Sequence, residues 1–167
     1  MGAVALRFEP AITRHARLIA SAMRPGDIEE IRAGWDKEPL EAMRIALTES
    51  YYARTMFMGL QPLCMYGLAP LTVLTGCARI WIFVSTAVDA HPFAFARASR
   101  VALREVMAVA PIVTNLVDVQ DEPVMKWLEW LGGRFVSPPM ERGGRLFAQF
   151  VIAEQGRAGE KKKCRQV

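Results

Sequence analysis

The stretch IWIFVSTAVDAHPFAFARASRVALREVMAVAPIVTNLVDV, residues 80–119, decides the fold class. Ile80–Ser85 opens it and is apolar on both faces, the pattern of a strand with neighbours above and below. His91–Pro92 leads into a long helix, about Phe93–Val109, which Pro111 stops. Ile112–Val119 then reads as a second buried strand. With its strands parallel, this strand–helix–strand unit is a right-handed crossover. An α/β domain of that kind places a ligand beyond the carboxyl end of the first strand.

Working outward, the preceding chain supplies a strand at Val4–Phe8 and a helix at Ala11–Met23, where Ile12, Ala16, Ile19, Ala20 and Met23 recur at helical spacing. Asp27 reads as the N-cap of a short helix with Glu29 and Glu30 in its first turn, ended by Gly34. Pro39 opens a further helix, Leu40–Ser50, and strands follow at Thr55–Gly59 and Leu63–Leu68. On the other side, Asp121 reads as the N-cap of a helix at Val124–Leu131 that stops at Gly132–Gly133. Strands at Arg134–Val136 and Arg145–Ala153 flank a Pro-Pro and Gly-Gly turn region. The order predicts an α/β (α+β) domain with a mixed sheet flanked by helices.

A chain of 167 residues is about one domain's worth. Its 52% hydrophobic and 23% charged content excludes a disordered chain. The net charge of +4 is local, because Arg157, Lys161, Lys162, Lys163 and Arg165 face only Glu160 after residue 156. The preceding residues balance, so nothing marks the body as a basic nucleic-acid-binding domain. Residues 1–155 are expected to form the domain and 156–167 a disordered basic tail. Cys64, Cys77 and Cys164 form no CxxC and lie far from His15 and His91 in sequence, so no metal site is expected. The 24 residues between Arg54 and Arg79 carry no formal charge, yet Gly59, Pro62, Gly67, Pro70 and Gly76 punctuate them as short strands and turns. No membrane span is expected there.

Asp121–Phe135 is similar to a pattern of the GNAT (Gcn5-related N-acetyltransferase) superfamily: Asn, two residues, Ala, then an aromatic pair and Leu-Gly-Phe. Asp121 stands at the Asn position, Val124 at the Ala, Trp127–Leu128 at the aromatic pair and Leu131–Gly132 at the Leu-Gly, with Gly133–Arg134 inserted before Phe135. The resemblance covers about residues 4–153 and implies a GNAT-like twisted sheet. Met65–Gly67, Trp81, the arginine-rich helix at 97–104 and the run Val117–Gly132 further resemble GNAT-like internal virion or morphogenesis proteins of tailed podoviruses. That resemblance implies a virion structural or assembly component, found in the phage particle and in the host cytoplasm during assembly. Its partners would be other virion proteins or a second copy of itself.

Departures from the enzyme pattern give the same direction. Active GNAT members hold the pyrophosphate of acetyl-CoA on a glycine-bearing loop, where small residues let backbone N–H groups approach. The matching stretch Ser85–Arg97 has no glycine, and Pro92 within it has no N–H to donate. The tyrosine that many members use as general acid is here Leu128. The reading is therefore a catalytically degenerate GNAT-like protein with no cofactor. The alternative is an active N-acetyltransferase with an atypical acetyl-CoA loop. In that case Phe83, Val84, Ser85, Phe95 and Arg97 would bind the cofactor, and Asp89 or Asp118 would serve as base. Trp127 and Trp130, with Arg97, Arg100 and Arg104 on one helix face, are the expected interaction residues. Lys161, Lys162 and Lys163 would give non-specific contact with nucleic-acid phosphates.

Overall fold

The computed structural model describes residues 6–71 and 76–154. The remaining residues, including Val4 and the basic segment with Lys161, Lys162 and Lys163, lie outside the described residues. Strand β1 (Leu6–Pro10) is followed by three helices, α1 (Thr13–Ser21), α2 (Pro25–Trp35) and α3 (Pro39–Glu49). Next come β2 (Tyr52–Met58), β3 (Gln61–Pro70) and β4 (Cys77–Val84). A 3₁₀ turn, Thr86–Ala90, leads to α4 (Pro92–Val109), then β5 (Ile112–Asp118) and α5 (Glu122–Trp130). The described chain ends with β6 (Arg134–Phe135), β7 (Met140–Arg142) and β8 (Arg145–Ala153).

The strands form one sheet in the order β1-β2-β3-β4-β5-β8-β6, with β7 paired to β8. Among the described strands only β4 and β5 run parallel, joined by α4 as a crossover connection requires. Alternation along β4 splits its side chains between two layers. Trp81 and Phe83 pack with Met43, Ala46 and Ile19 beneath α1–α3. Ile80, Ile82 and Val84 join the larger core under α4 and α5 with Tyr66, Val106 and Leu128. The uncharged 55–78 stretch supplies most of β2, all of β3 and the first two residues of β4. No helix among the described residues is long and apolar enough to cross a membrane.

Two local expectations need correction. Asp27 is not an N-cap: α2 begins at Pro25 with Arg24 outside it, since proline needs no N–H partner in a first turn. Asp27 instead lies inside the first turn and accepts two hydrogen bonds from the Arg24 guanidinium, at 2.9 and 3.2 Å. Gly34 does not end α2 either, because the left-handed terminating position falls on Asp36, at φ 53°. Asp121 does cap α5, its Oδ1 accepting from the Val124 N–H at 3.1 Å.

Candidate functional site

The parallel ladder between β4 and β5 holds only for Cys77↔Ile112, Ala78↔Val113 and Arg79↔Thr114. The next pair in register would be Ile80 with Asn115. The Asn115 side chain occupies that place: its Nδ2 donates to the Ile80 carbonyl at 2.6 Å, and its Oδ1 accepts from the Leu116 N–H at 2.8 Å. An amide wedge thus replaces the backbone rung, and β5 departs with β8, to which it stays paired from Ile112 through Asp118. From Ile80 to Val84 the β4 edge on this side has no strand partner among the described residues. Strand alternation directs the backbone groups of Ile80, Ile82 and Val84 into the gap.

The gap opens a cavity of about 760 Å³ that passes between the two layers. One wall comes from α4 and α5, with Phe95, Trp127 and Leu128; the other comes from α2, with Glu30, Ile31 and Trp35. A smaller cavity of about 320 Å³ adjoins it, lined by Arg24, Asp27, Glu30, Asp121 and Arg145. Carboxylate oxygens of Asp27, Glu30 and Asp121 there lie within 4.8 Å of one another. Burial first, and then the neighbouring carboxylates of Asp118, Asp27 and Asp121, push the Glu30 carboxyl up to about 7, against one backbone hydrogen bond that favours its charge. That bond comes from the Asp118 N–H at 3.4 Å. A carboxyl poised near neutral pH at a cavity mouth has the property that a general base needs.

The structure gathers some of the sequence-derived residues and separates others. Phe83, Val84, Phe95 and Trp127 line the cavity. Phe95 and Trp127 stack with ring centroids 5.7 Å apart. Ser85 turns away: its hydroxyl donates to Pro62 O at 2.7 Å and its N–H to Leu63 O at 2.9 Å. Arg97 is exposed on α4 and is not among the lining residues. Asp89 sits in the 3₁₀ turn, exposed, 3.6 Å from the Arg24 guanidinium. Asp118 is fully buried, and both its oxygens are engaged: Oδ2 by Arg145 Nε at 2.5 Å and Oδ1 by the Gln120 N–H at 2.9 Å. Trp130 is exposed and carries the Arg100 guanidinium 3.9 Å above its ring, while Arg104 is exposed further along α4.

Sequence reasoning placed Glu30 in a first helical turn and gave it no role. A signal was available, since Asp27, Glu30, Ile31 and Gly34 follow i, i+3, i+4, i+7 spacing and all line the cavity. At the start of α4, proline occupies the first position and the His91 side chain provides no cap. The His91 N–H donates to Val88 O and the Phe95 N–H to His91 O. The cleft therefore offers an extended, unpaired strand edge along β4, and the turn that leads into α4 contains no glycine.

A spermidine N-acetyltransferase from Vibrio cholerae, solved with CoA and spermine, superposes with a TM-score of 0.65 over 89% of this chain and 95% of that one, at 12% identity. A putative acetyltransferase from T. thermophilus gives 0.66 over 95% and 90%, at 16% identity. The ribosomal-protein-S5-alanine acetyltransferase of Vibrio fischeri gives 0.63 over 90% and 94%, at 10% identity. The fold is that of the GNAT acetyltransferases. At these identities the likeness concerns the GNAT fold alone. Neither a protein-family model nor a curated protein sequence matches the chain.

Proposed function

We propose that this GNAT-fold chain is an N-acyltransferase that moves an acyl group from a thioester to an amine, with Glu30 as the general base. The observation that carries this reading is the open β4–β5 gap with Glu30 at one mouth. The unpaired β4 edge would bind the donor arm in extended form, as an added strand does. Glu30, ionised above about pH 7, would take the proton of an incoming ammonium group and leave a nucleophilic amine beside the thioester carbonyl. As the C–N bond forms and the C–S bond breaks, the thiolate departs, and the second proton of the attacking nitrogen passes to solvent water, which also protonates the thiolate because Leu128 offers it no proton. Without a glycine cradle at the start of α4, the phosphates of acetyl-CoA should add little affinity. The dissociation constant is expected to be weaker than about 1 μM, or −8 kcal/mol.

The test is thiol release from acetyl-CoA with a panel of primary amines. Glu30→Gln is expected to lower kcat/KM about 10²- to 10⁴-fold. A chain that neither binds acetyl-CoA or a longer acyl-CoA at millimolar concentration nor releases thiol with any amine would overturn the reading.

A second reading keeps the fold as a phage virion or assembly component, with other virion proteins or a second copy as partner. Its support is the outer surface of α4 and α5, where Phe93 is 83% and Trp130 is 44% exposed. Proteomics of purified particles tests it, since a structural component must be present at a fixed copy number.

A further inference from the structure

We infer that Asn115 is a positioning residue for the acyl donor: its side-chain amide holds β4 and β5 apart and ends the free β4 edge at Ile82, which fixes how deep an extended donor arm can pair. The inference rests on the acyltransferase reading for what fills the gap, while the wedge itself is a matter of geometry. The parallel register runs Cys77↔Ile112, Ala78↔Val113, Arg79↔Thr114. Carried one residue further, it would bring the Leu116 N–H to the Ile80 carbonyl as the next rung. Those are the two groups that the Asn115 amide serves. Its Nδ2 donates to Ile80 O at 2.6 Å, and its Oδ1 accepts from the Leu116 N–H at 2.8 Å. One bond has become two with an amide between them, and the strands stand apart by that width.

The wedge leaves neither backbone group orphaned, so the strands open without a buried donor or acceptor losing its partner. A hydrocarbon side chain at 115 could not do this. It would leave Ile80 O and the Leu116 N–H unpaired in a partly buried gap, and the nearest remedy for each would be the other. On its far side β5 is secured to β8 from Ile112 through Asp118. Thr114 Oγ1 adds to that side, donating to Phe150 O at 2.7 Å and accepting from Gln149 Nε2 at 3.0 Å. Strand β5 is therefore held by β8 on one side and spaced from β4 by one amide on the other.

The consequence falls on the ligand. With Ile80 O engaged by Asn115, Ile82 is the first residue facing the gap whose N–H and C=O both lack a partner on β5. An extended arm that adds to this edge makes its innermost pair of hydrogen bonds there and meets Asn115 beyond. The amide is thus a stop as well as a spacer. It sets where along β4 the thioester comes to rest relative to Glu30.

Isothermal titration of the whole chain with CoA, thiol-release kinetics with acetyl-CoA, and NMR contacts between β4 and β5 test the idea together. Asn115→Leu is expected to let the ladder zip to an Ile80–Leu116 rung and to leave the KM for the amine unchanged. Its affinity for CoA should fall at least about tenfold as the gap narrows and edge bonds are lost. Asn115→Ala removes the same amide with less bulk should the leucine variant not fold. Asn115→Gln keeps a donor and an acceptor at this place and should hold CoA within about threefold of the parent. A folded Asn115→Leu or Asn115→Ala with parental CoA affinity would overturn the inference and leave the acyltransferase reading intact. So would a loss that Asn115→Gln does not restore, or one that raises the amine KM equally, since either marks a general loosening of the fold. A parent chain that binds no CoA at millimolar concentration would also overturn it, and thiol release then decides acyl transfer separately. CoA affinity that follows residue 115 in a chain that releases no thiol would uphold the wedge and overturn acyl transfer.

Discussion

Glu30 sets the pH behaviour of the site. Its carboxyl is pushed from an ordinary value near 4.5 to about 7 by burial and by neighbouring carboxylates. Folding therefore favours its protonated form. The resulting stability is fully present below pH 4.5 and is lost as pH rises toward the folded value of about 7. The loss is up to about 3 kcal/mol if the shift is expressed in full. Glu30→Gln is expected to remove this decline, so urea titrations at pH 5 and pH 8 should differ less for the variant than for the parent. An unchanged pH dependence in the variant would show that Glu30 is not the group responsible. Asp118 presents the opposite case at the same scale. Chemistry alone makes any strand-end aspartate a candidate base, but Arg145 reaches it from 27 residues away and the Gln120 N–H takes its other oxygen. The Gln120 contact is local, two residues on, as a strand-end aspartate capping a loop makes it, whereas the arginine partner has no signature in the pattern around residue 118.

Among the elements, those with strong local punctuation were legible. Asp121 followed by Pro123 marked the start of α5, and Gly132 at φ +94° explains why the helix stops where it does. Strand β7 escaped notice because Met140–Arg142 is only three residues long and wholly exposed, so it shows no alternation of apolar and polar side chains. The wedge at Asn115 was equally hidden, since its meaning depends on Ile80, 35 residues away in the chain. Gly67 shows what the middle of the sheet demands. A Cβ there would lie 2.5 Å from the Trp81 ring and 2.6 Å from the Tyr52 carbonyl, on a crowded face between β2 and β4. The Trp81 indole cannot easily give way, because its Nε1 donates to Ser50 Oγ at 2.7 Å. Gly67→Ala is expected to cost about 1–3 kcal/mol through overpacking. Thermal unfolding should fall by roughly 3–10 °C for a domain of this size. An unchanged melting temperature would mean that β3 slides to make room.

For the whole molecule, the alternation of strands and helices predicted the layers, but not the order of the sheet. Insertion of β8 between β5 and β6 is a long-range pairing with no local signature, and it draws β5 away from β4 to create the cleft. Charge is distributed just as unevenly as structure. Five basic residues and one acid occupy positions 157–167, while the rest of the chain is neutral overall. On the described body α4 carries a basic surface, where Arg97, Arg100 and Arg104 share an exposed face. Arg100 is already stacked on Trp130, which weakens that face as a track for phosphates. Non-specific binding to nucleic acid should therefore follow the terminal charges. Each neutralised phosphate contributes about −0.9 to the slope of log affinity against log salt, so five basic residues set a limit of roughly −4.5. Fluorescence anisotropy with a labelled duplex is expected to stay within that limit for the full chain. Truncation after Gln155 should abolish the binding. A truncated chain that retains it, with a slope near roughly −3, would assign the contact to the three α4 arginines, and Arg97→Ala with Arg104→Ala should then remove it.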